Sequence, residues 1–423
     1  MWEPTRMNGL RRQNHAQPLP KESYAFVLAS LVNSVGSALI WPLTTIYVHN
    51  VLHRNYADAG VALFFQSLAS IVGQVIGGSL YASLGPRKLI IGSLVLTGCA
   101  QWTLILAHTW PTYVCAMTAN AFLIAITMPA VNGFVGQRWK TVSTRLFNVM
   151  YVSNNVGVAI GTTLAGILAS ISFSLTFFMN GVSTLLFAAF LTIFMRRFAN
   201  DELEEWRGGF GATRQDSPAR LLSRYHLYAW IGIGSMLVNL ATSTWNSGVA
   251  PYLNQAGQPP AVYSLLWTVN GILILVGQPV IGFLNRRLTQ SLASRLTASA
   301  VLYGCAYVMI WGTHATYALL VVGMVVATFG EMLMAPTIPA LITDTARNNA
   351  AFYLGVAGGI GSIGRLIGPV LFGTLFDHAG LPPILWIAVG ACAGAVIAFI
   401  VQQRQDGSVS HAASGKADEM SSL

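Results

Sequence analysis

Charged side chains are scarce in this sequence. Its 423 residues are 54% hydrophobic and only 9% charged, whereas a soluble globular domain has about 25% charged residues. A water-exposed surface needs charge, and a lipid-exposed surface excludes it because a charged side chain at the bilayer centre costs about 2.5–3.5 kcal/mol on insertion scales. The shortage excludes an ordinary soluble domain and predicts a membrane protein.

Several chemical signatures are also missing. The four cysteines show no C-x-x-C spacing, the eight histidines have no metal-ligand spacing, and no Gly-Lys-Ser/Thr sequence is present for binding ATP. No cluster of His, Asp or Ser suggests a membrane enzyme, and no pore-loop segment suggests a channel. We therefore expect no enzymatic activity, cofactor or metal, with an enzyme or a channel as the less favoured alternatives.

What the chain does have is long intervals without Asp, Glu, Lys or Arg. The uncharged intervals between residues 88 and 138, 145 and 196, and 224 and 286 are 49, 50 and 61 residues long. One membrane span needs about 20 apolar residues, so each interval predicts a helical hairpin. The fold class predicted for the whole chain is an all-α membrane protein with twelve transmembrane helices, at residues 24–48, 60–82, 89–108, 112–134, 146–169, 174–195, 226–250, 261–284, 294–312, 316–341, 351–375 and 383–402.

Basic residues are concentrated on one side of these spans. Of the 23 Lys and Arg, 21 fall on one side: in the N-terminal segment, the even-to-odd loops, the C-terminal tail or, for Arg295, the adjoining end of the ninth span. Arg54 lies on the other side, and Arg365 lies deep inside a span. This asymmetry predicts a multi-pass protein of the cell membrane with both termini in the cytoplasm. The net charge of +9 then follows from the topology, because basic residues on the cytoplasmic side face anionic lipid headgroups. No nucleic-acid partner is expected. A polar N-terminal stretch predicts that the first helix is retained and no signal peptide is cleaved.

An internal repeat divides the chain into halves. Val-Gly-Gln at 72–74 recurs at 276–278, and Gly157 recurs as Gly364 after a similar offset. Each half has an even number of spans, so both halves share one orientation and form parallel six-helix pseudo-repeats. The predicted division is an N-terminal segment 1–23, a six-helix bundle 24–195, a cytoplasmic linker 196–225, a second six-helix bundle 226–403 and a disordered tail 404–423.

The segment between spans 2 and 3 carries a motif. It reads Gly-Ser-Leu-Tyr-Ala-Ser-Leu-Gly-Pro-Arg-Lys from Gly78 to Lys88. Together with the two parallel halves, it resembles the major facilitator superfamily, whose members carry Gly-x-Leu-x-Asp-x-x-Gly-Arg-Lys here. The resemblance implies that Gly78 allows close helix packing, Gly85 a tight turn, and Arg87 and Lys88 contacts at a cytoplasmic gate. Ala82 occupies the acidic position, so the usual charge relay is in question.

A second pattern repeats in both halves. Exporters of that superfamily carry Gly-x-x-x-Gly-Pro on the fifth helix; here Gly157 and Gly161 are followed by Thr, and Gly364 and Gly368 are followed by Pro369. Small residues four apart allow close helix contact, and a proline can bend a helix. General helix packing explains either instance equally well.

A third stretch is similar to drug:proton antiporter-1 multidrug exporters of the lactococcal multidrug-exporter type. The similarity rests on 329–331 (Phe-Gly-Glu), Pro336, Asp344 and 353–355 (Tyr-Leu-Gly), in span 10, the following segment and the start of span 11. Gly136 and Met150 stand where that subgroup has further carboxylates.

Glu331 is the acidic residue that lies well inside a predicted span. A carboxyl group there can take up a proton from one side of the membrane and release it to the other, so we predict that Glu331 couples transport to protons. Arg365 is the basic residue deep in a span. It could instead form a fixed ion pair with Glu331, or bind an anionic substrate.

Polar and aromatic residues at helical spacing on spans 1 and 7 predict the lining of a substrate cavity. The alternative for such residues is hydrogen bonding between helices, which we favour for Gln66 and Asn270. The predicted cavity residues are Asn33, Ser37, Trp41, Thr44, Asn239, Ser243, Trp245, Asn246 and Arg365.

These features predict a monomeric secondary transporter. It would export hydrophobic or cationic small molecules in exchange for protons by alternating access, with the proton gradient as driving force. The alternative within transporters is an importer or facilitator of another small, possibly anionic, solute.

Overall fold

A computed structural model describes residues 18–40, 44, 47–48, 51–54, 56–197, 225–258, 260–311, 316–346 and 349–421, and no strand occurs among them. Every predicted span contains helix. The α-helices are α1 (Lys21–Ser37), α2 (Tyr56–Leu84), α3 (Pro86–Thr103), α4 (Trp110–Arg138), α5 (Ser143–Ile171), α6 (Phe173–Arg197), α7 (Tyr225–Thr244), α8 (Ala250–Gln255), α9 (Pro260–Val276), α10 (Gln278–Arg287), α11 (Leu292–Trp311), α12 (Tyr317–Ala346), α13 (Ala350–Ala379) and α14 (Leu381–Ser421).

Two of the predicted spans are not continuous α-helices. Span 7 consists of α7 and α8 joined by a π-helical segment, Trp245–Val249. Span 8 consists of α9 and α10, which meet at 62°. Pro279, the second residue of α10, has no N–H to donate to the preceding turn, which accounts for the break.

Nine helices of the described chain are long and apolar enough to cross a membrane, and the bent α9–α10 pair brings the number to ten. The two remaining predicted spans are the first and the seventh. Helix α1 has 17 residues, and residues 41–43 of the first span lie outside the described ranges. Helix α7 ends at the π-helical segment.

The chain forms two compact units. Unit 1 comprises Met1–Gln215 and Ile342–Gly355, and unit 2 comprises Asp216–Leu341 and Val356–Leu423. The predicted bundle boundaries differ at 342–355, which belong to unit 1. A Cβ on Gly133 would lie 2.8 Å from the Ala351 Cβ, so this segment packs closely against α4 at a glycine. Within the predicted terminal segment and linker, residues 1–17 and 198–224 lie outside the described chain.

The repeat is visible in the helix contacts of each unit. In unit 1, a Cβ on Gly157 would lie 2.8 Å from the carbonyl oxygen of Leu31 on α1. In unit 2, a Cβ on Gly364 would overlap the carbonyl oxygen of Met236 on α7. The α1–α5 pair in unit 1 and the α7–α13 pair in unit 2 therefore meet at corresponding glycines, as a parallel repeat requires.

The end of the chain differs from the sequence prediction. Residues 404–423 were predicted to be a disordered tail, whereas α14 continues to Ser421. The segment contains no proline, and adding residues to an existing helix avoids the cost of nucleation.

The glycine contact in unit 2 predicts a stability difference between two positions on α13. Gly364→Ala should lower the free energy of unfolding by about 1–3 kcal/mol because its methyl group would overlap Met236. Gly373→Ala is the matched control, since a Cβ there has no neighbour within 4 Å; it should be neutral or stabilise by up to about 1 kcal/mol. Thermal unfolding of the purified variants in detergent measures both, and equal stabilities would contradict the contact.

Candidate functional site

The carboxyl group of Glu331 lies half-buried on α12 and is bonded to the neighbouring helix α9. The Nδ2 of Asn270 donates to Glu331 Oε2 at 3.0 Å and to Thr328 Oγ1 at 3.0 Å. Thr328 and Glu331 are three residues apart and face the same side of α12, so one amide can reach both. A neutral amide therefore fixes the orientation of this carboxyl group.

A close contact with α11 positions this part of α12. Gly330 has no side chain, and a Cβ there would lie 3.1 Å from the Ser299 carbonyl oxygen. The hydroxyl of Ser299 donates to the Gly330 carbonyl oxygen at 2.7 Å. The residue before Glu331 is thus tied to one helix while Glu331 itself is bonded to another, which limits the movement of the carboxyl group.

Arg365 does not form the ion pair that the sequence left open. Its Nη2 donates to Ser362 Oγ at 3.0 Å, on the same helix α13, and no ion pair joins these two described residues, Arg365 and Glu331. Arg365 is exposed over part of its surface, and its bond to Ser362 is partly buried. The two groups therefore have separate hydrogen-bond partners.

The polar residues of span 1 do not form one exposed face. Ser37 is exposed and Asn33 is half-buried, with its Oδ1 lacking a hydrogen-bond partner among the described residues. Thr44 is buried, at 3% exposed. Trp41 lies outside the described residues.

The residues of span 7 are also divided between packing and exposure. Asn239 Nδ2 donates to the Gly361 carbonyl oxygen at 2.9 Å and joins α7 to α13. Ser243 is buried where a Cβ on Gly368 would overlap it, and Trp245 is 3% exposed with its ring near Tyr307. Both were predicted to line the cavity, but close packing in unit 2 covers them.

Asn246 is the exposed residue among the four residues of span 7 that were predicted to line the cavity. It lies in the π-helical segment, and its Oδ1 accepts a hydrogen bond from the Tyr263 hydroxyl on α9 at 2.7 Å. π-Helical segments occur frequently at functional sites. Sequence reasoning missed Tyr263 and the segment itself, because a single extra residue in a turn leaves no pattern in apolar sequence.

The polar pair of spans 2 and 8 behaves unequally. Asn270 joins α9 to α12 as described above, whereas the Nε2 of Gln66 is buried without a hydrogen-bond partner in the described chain. Sequence reasoning assigned Asn270 to helix association and missed its contact with Glu331. Its signal was an amide at the position that corresponds to Gln66 in the repeat.

The residues of the motif between spans 2 and 3 lie at a helix junction. Gly85 has φ +79° and precedes α3, a backbone conformation that glycine adopts readily. A Cβ on Gly78 would lie 3.0 Å from the Phe352 Cα within unit 1. Arg87 is half-buried and Lys88 is exposed at the start of α3.

The remaining packing residues lie in long helices. Gly161 faces Ala38, directly after the end of α1, since a Cβ on Gly161 would lie 2.7 Å from the Ala38 Cβ. Gly368 takes the corresponding place beside α7. Pro369 lies inside α13, which continues to Ala379. No group of His, Cys, Asp or Glu in the described chain could hold a metal ion.

Comparison with known proteins places these features in a family. The model of the Major Facilitator Superfamily matches residues 26–291 and 231–419. The Bacillus subtilis protein YttB, an uncharacterized MFS-type transporter, is 31% identical over 86% of this chain and 90% of its own length. The quinolone resistance protein NorA of Staphylococcus aureus (strain MSSA476) is 23% identical over 88% of this chain and 94% of its own.

A solved structure has the same fold. The crystal structure of the human organic anion transporter MFSD10 (TETRAN) superposes with a TM-score of 0.69, covering 90% of this chain and all of that one, at 15% identity. At this identity the likeness is one of fold.

The Asn270 contacts predict a stability difference between the two related amides. Asn270→Ala should lower the free energy of unfolding by about 1 kcal/mol because two hydrogen bonds to α12 are lost. Gln66→Ala, the matched control, should change it less because no partner of Nε2 is lost. Thermal unfolding in the same detergent compares the two, and an equal or larger effect of Gln66→Ala would contradict the assignment.

Proposed function

The chain belongs to the major facilitator superfamily, a family of membrane transporters, and we propose that it exports hydrophobic or cationic small molecules in exchange for protons. It acts by alternating access, driven by the proton gradient across the cell membrane, as a monomer with both termini in the cytoplasm. No bound cofactor takes part in this mechanism.

The placement of Glu331 carries the proposal. Its carboxyl group lies on a membrane-spanning helix and accepts a hydrogen bond from the neutral amide of Asn270. An amide partner can remain bonded to either protonation state, because a protonated carboxyl group keeps an acceptor oxygen. Glu331 can therefore gain and lose a proton while its bond to Asn270 persists, which suits a group that must do both in each cycle.

Two further observations support drug export. Quinolone resistance protein NorA matches this chain along almost its whole length, so a relative with the same architecture is associated with resistance to an organic drug. The sequence is 11% aromatic and only 9% charged, and an apolar pocket with few polar contacts suits hydrophobic compounds. A carboxylate in such a pocket also suits cations.

Export can be tested in everted membrane vesicles with ethidium as the probe. Wild-type vesicles should accumulate ethidium when a pH gradient is imposed and lose it when the gradient is collapsed. Glu331→Gln should reduce gradient-driven accumulation at least about tenfold, because the amide cannot exchange a proton.

The control is Asp377→Asn, the same chemical change at an exposed position on α13, which should leave accumulation unchanged. Immunoblotting checks that each variant reaches the membrane in equal amount. Accumulation that persists in Glu331→Gln would rule out this residue as the coupling group.

A second candidate function is transport of a small organic anion, and the position of the Arg365 guanidinium favours it. This cation lies on membrane-spanning α13, bonded to Ser362 and separate from Glu331. The fold is also that of an organic anion transporter. A guanidinium can bind a carboxylate or a sulfonate through two parallel hydrogen bonds.

This alternative predicts a charge-dependent effect at Arg365. If the substrate is an anion, Arg365→Gln should reduce uptake of a fluorescent anion such as carboxyfluorescein about tenfold in proteoliposomes, since hydrogen bonds to charged groups contribute about 1.5–3 kcal/mol. Arg365→Lys keeps the charge and should retain part of the transport. Equal uptake by wild type and Arg365→Gln, with ethidium export intact, would eliminate the anion candidate.

A further inference from the structure

Arg295 is a largely buried arginine whose side chain makes one hydrogen bond within the part of the chain that the structure describes. It lies in the first turn of α11 and is only 5% exposed. Its Nε donates to the Thr289 carbonyl oxygen at 3.1 Å. The remaining N–H groups of the guanidinium have no acceptor among the residues that the structure describes.

The surrounding sequence supplies no compensating charge. Residues 285–295 contain Arg286, Arg287 and Arg295 but no Asp or Glu. A buried charge is costly unless it is paired, and one backbone carbonyl does not neutralise a guanidinium. An anion that is not part of this segment would provide the missing charge.

Local hydrogen bonds hold the connection between α10 and α11 in a fixed shape. The Thr289 hydroxyl donates to Asn285 Oδ1 at 3.1 Å, and the backbone N–H of Thr289 donates to the Leu284 carbonyl oxygen at 2.9 Å. The hydroxyls of Ser291 and Ser294 accept from each other's backbone N–H groups. Because these serines already cap α11, the anion would bind to side chains and not to the helix end.

The chemistry of the segment indicates what kind of anion would bind. Arg286 and Arg287 are exposed at the end of α10, and Leu288 beside them is 73% exposed. A guanidinium presents a planar fork of donors that matches two oxygens of a phosphate group. A phospholipid would offer such a phosphate together with acyl chains to cover an exposed leucine.

We propose that Arg295, with Arg286 and Arg287, forms a binding site for a phosphate group, either that of an anionic phospholipid or a soluble phosphate. The site belongs to unit 2 alone and is independent of the transport function proposed above. The bound phosphate accepts hydrogen bonds from the N–H groups of Arg295 that have no acceptor among the described residues. It thereby stabilises the junction of α10 with α11.

The test uses the full chain in nanodiscs of phosphatidylcholine, with and without phosphatidylglycerol, and a separate arm with inorganic phosphate in phosphatidylcholine alone. Thermal unfolding at increasing ligand content gives an apparent affinity for each arm. For the arm that binds, Arg295→Gln should weaken that affinity about tenfold, because charge-assisted hydrogen bonds are lost. Stabilisation by phosphatidylglycerol alone assigns the site to a lipid, and stabilisation by inorganic phosphate assigns it to a soluble anion.

Two further variants separate binding from folding. Arg404→Gln removes an exposed arginine from α14 and should bind like wild type. The double variant Arg286→Gln/Arg287→Gln changes exposed side chains only, so it should fold even if Arg295→Gln does not, and it should weaken binding at least about threefold through the loss of nearby charge. If neither ligand stabilises the wild type, or if both the Arg295 and the double variant bind as tightly as Arg404→Gln, the proposal is overturned.

Discussion

The structure depends on one constraint: inside hydrocarbon, every backbone N–H and C=O group must be satisfied within its own helix. Water is absent there to accept or donate the missing hydrogen bonds, so an apolar chain of this length forms helices. Lipid is as apolar as the side chains, and helices therefore associate through close packing of small residues instead of through the hydrophobic effect. Gly157 against α1 and Gly364 against α7 show this in both units.

Several polar side chains in the described bundles complete contacts between helices. Ser34 donates to Asn154 Oδ1 between α1 and α5, and Asn239 donates to Gly361 between α7 and α13. These are corresponding helix pairs, so the repeat extends from packing to hydrogen bonding. These groups are satisfied between the two helices that they join.

The repeat is broken at Glu331. By the offset that relates Gly157 to Gly364, the position in the first half that corresponds to Glu331 is Ile124. Gln66 keeps the place of Asn270 but has no hydrogen-bond partner for Nε2 among the described residues. The second half thus pairs its amide with an acid, while the first half retains only the amide. This asymmetry places an ionisable group in one bundle of an otherwise repeated scaffold.

The sequence by itself determined the helical spans, the parallel repeat and Glu331 as an acid within a span, because the cost of charge in hydrocarbon is imprinted on composition along the chain. Only the tertiary structure decided which polar residues are covered. Thr44 and Ser243 are buried although the sequence predicts them to line a cavity. A residue on a helix can face a cavity or another helix, and spacing does not distinguish the two. The contact of Asn270 with Glu331 and the isolation of Arg365 likewise depend on how neighbouring helices are rotated, which is set by packing between residues far apart in sequence.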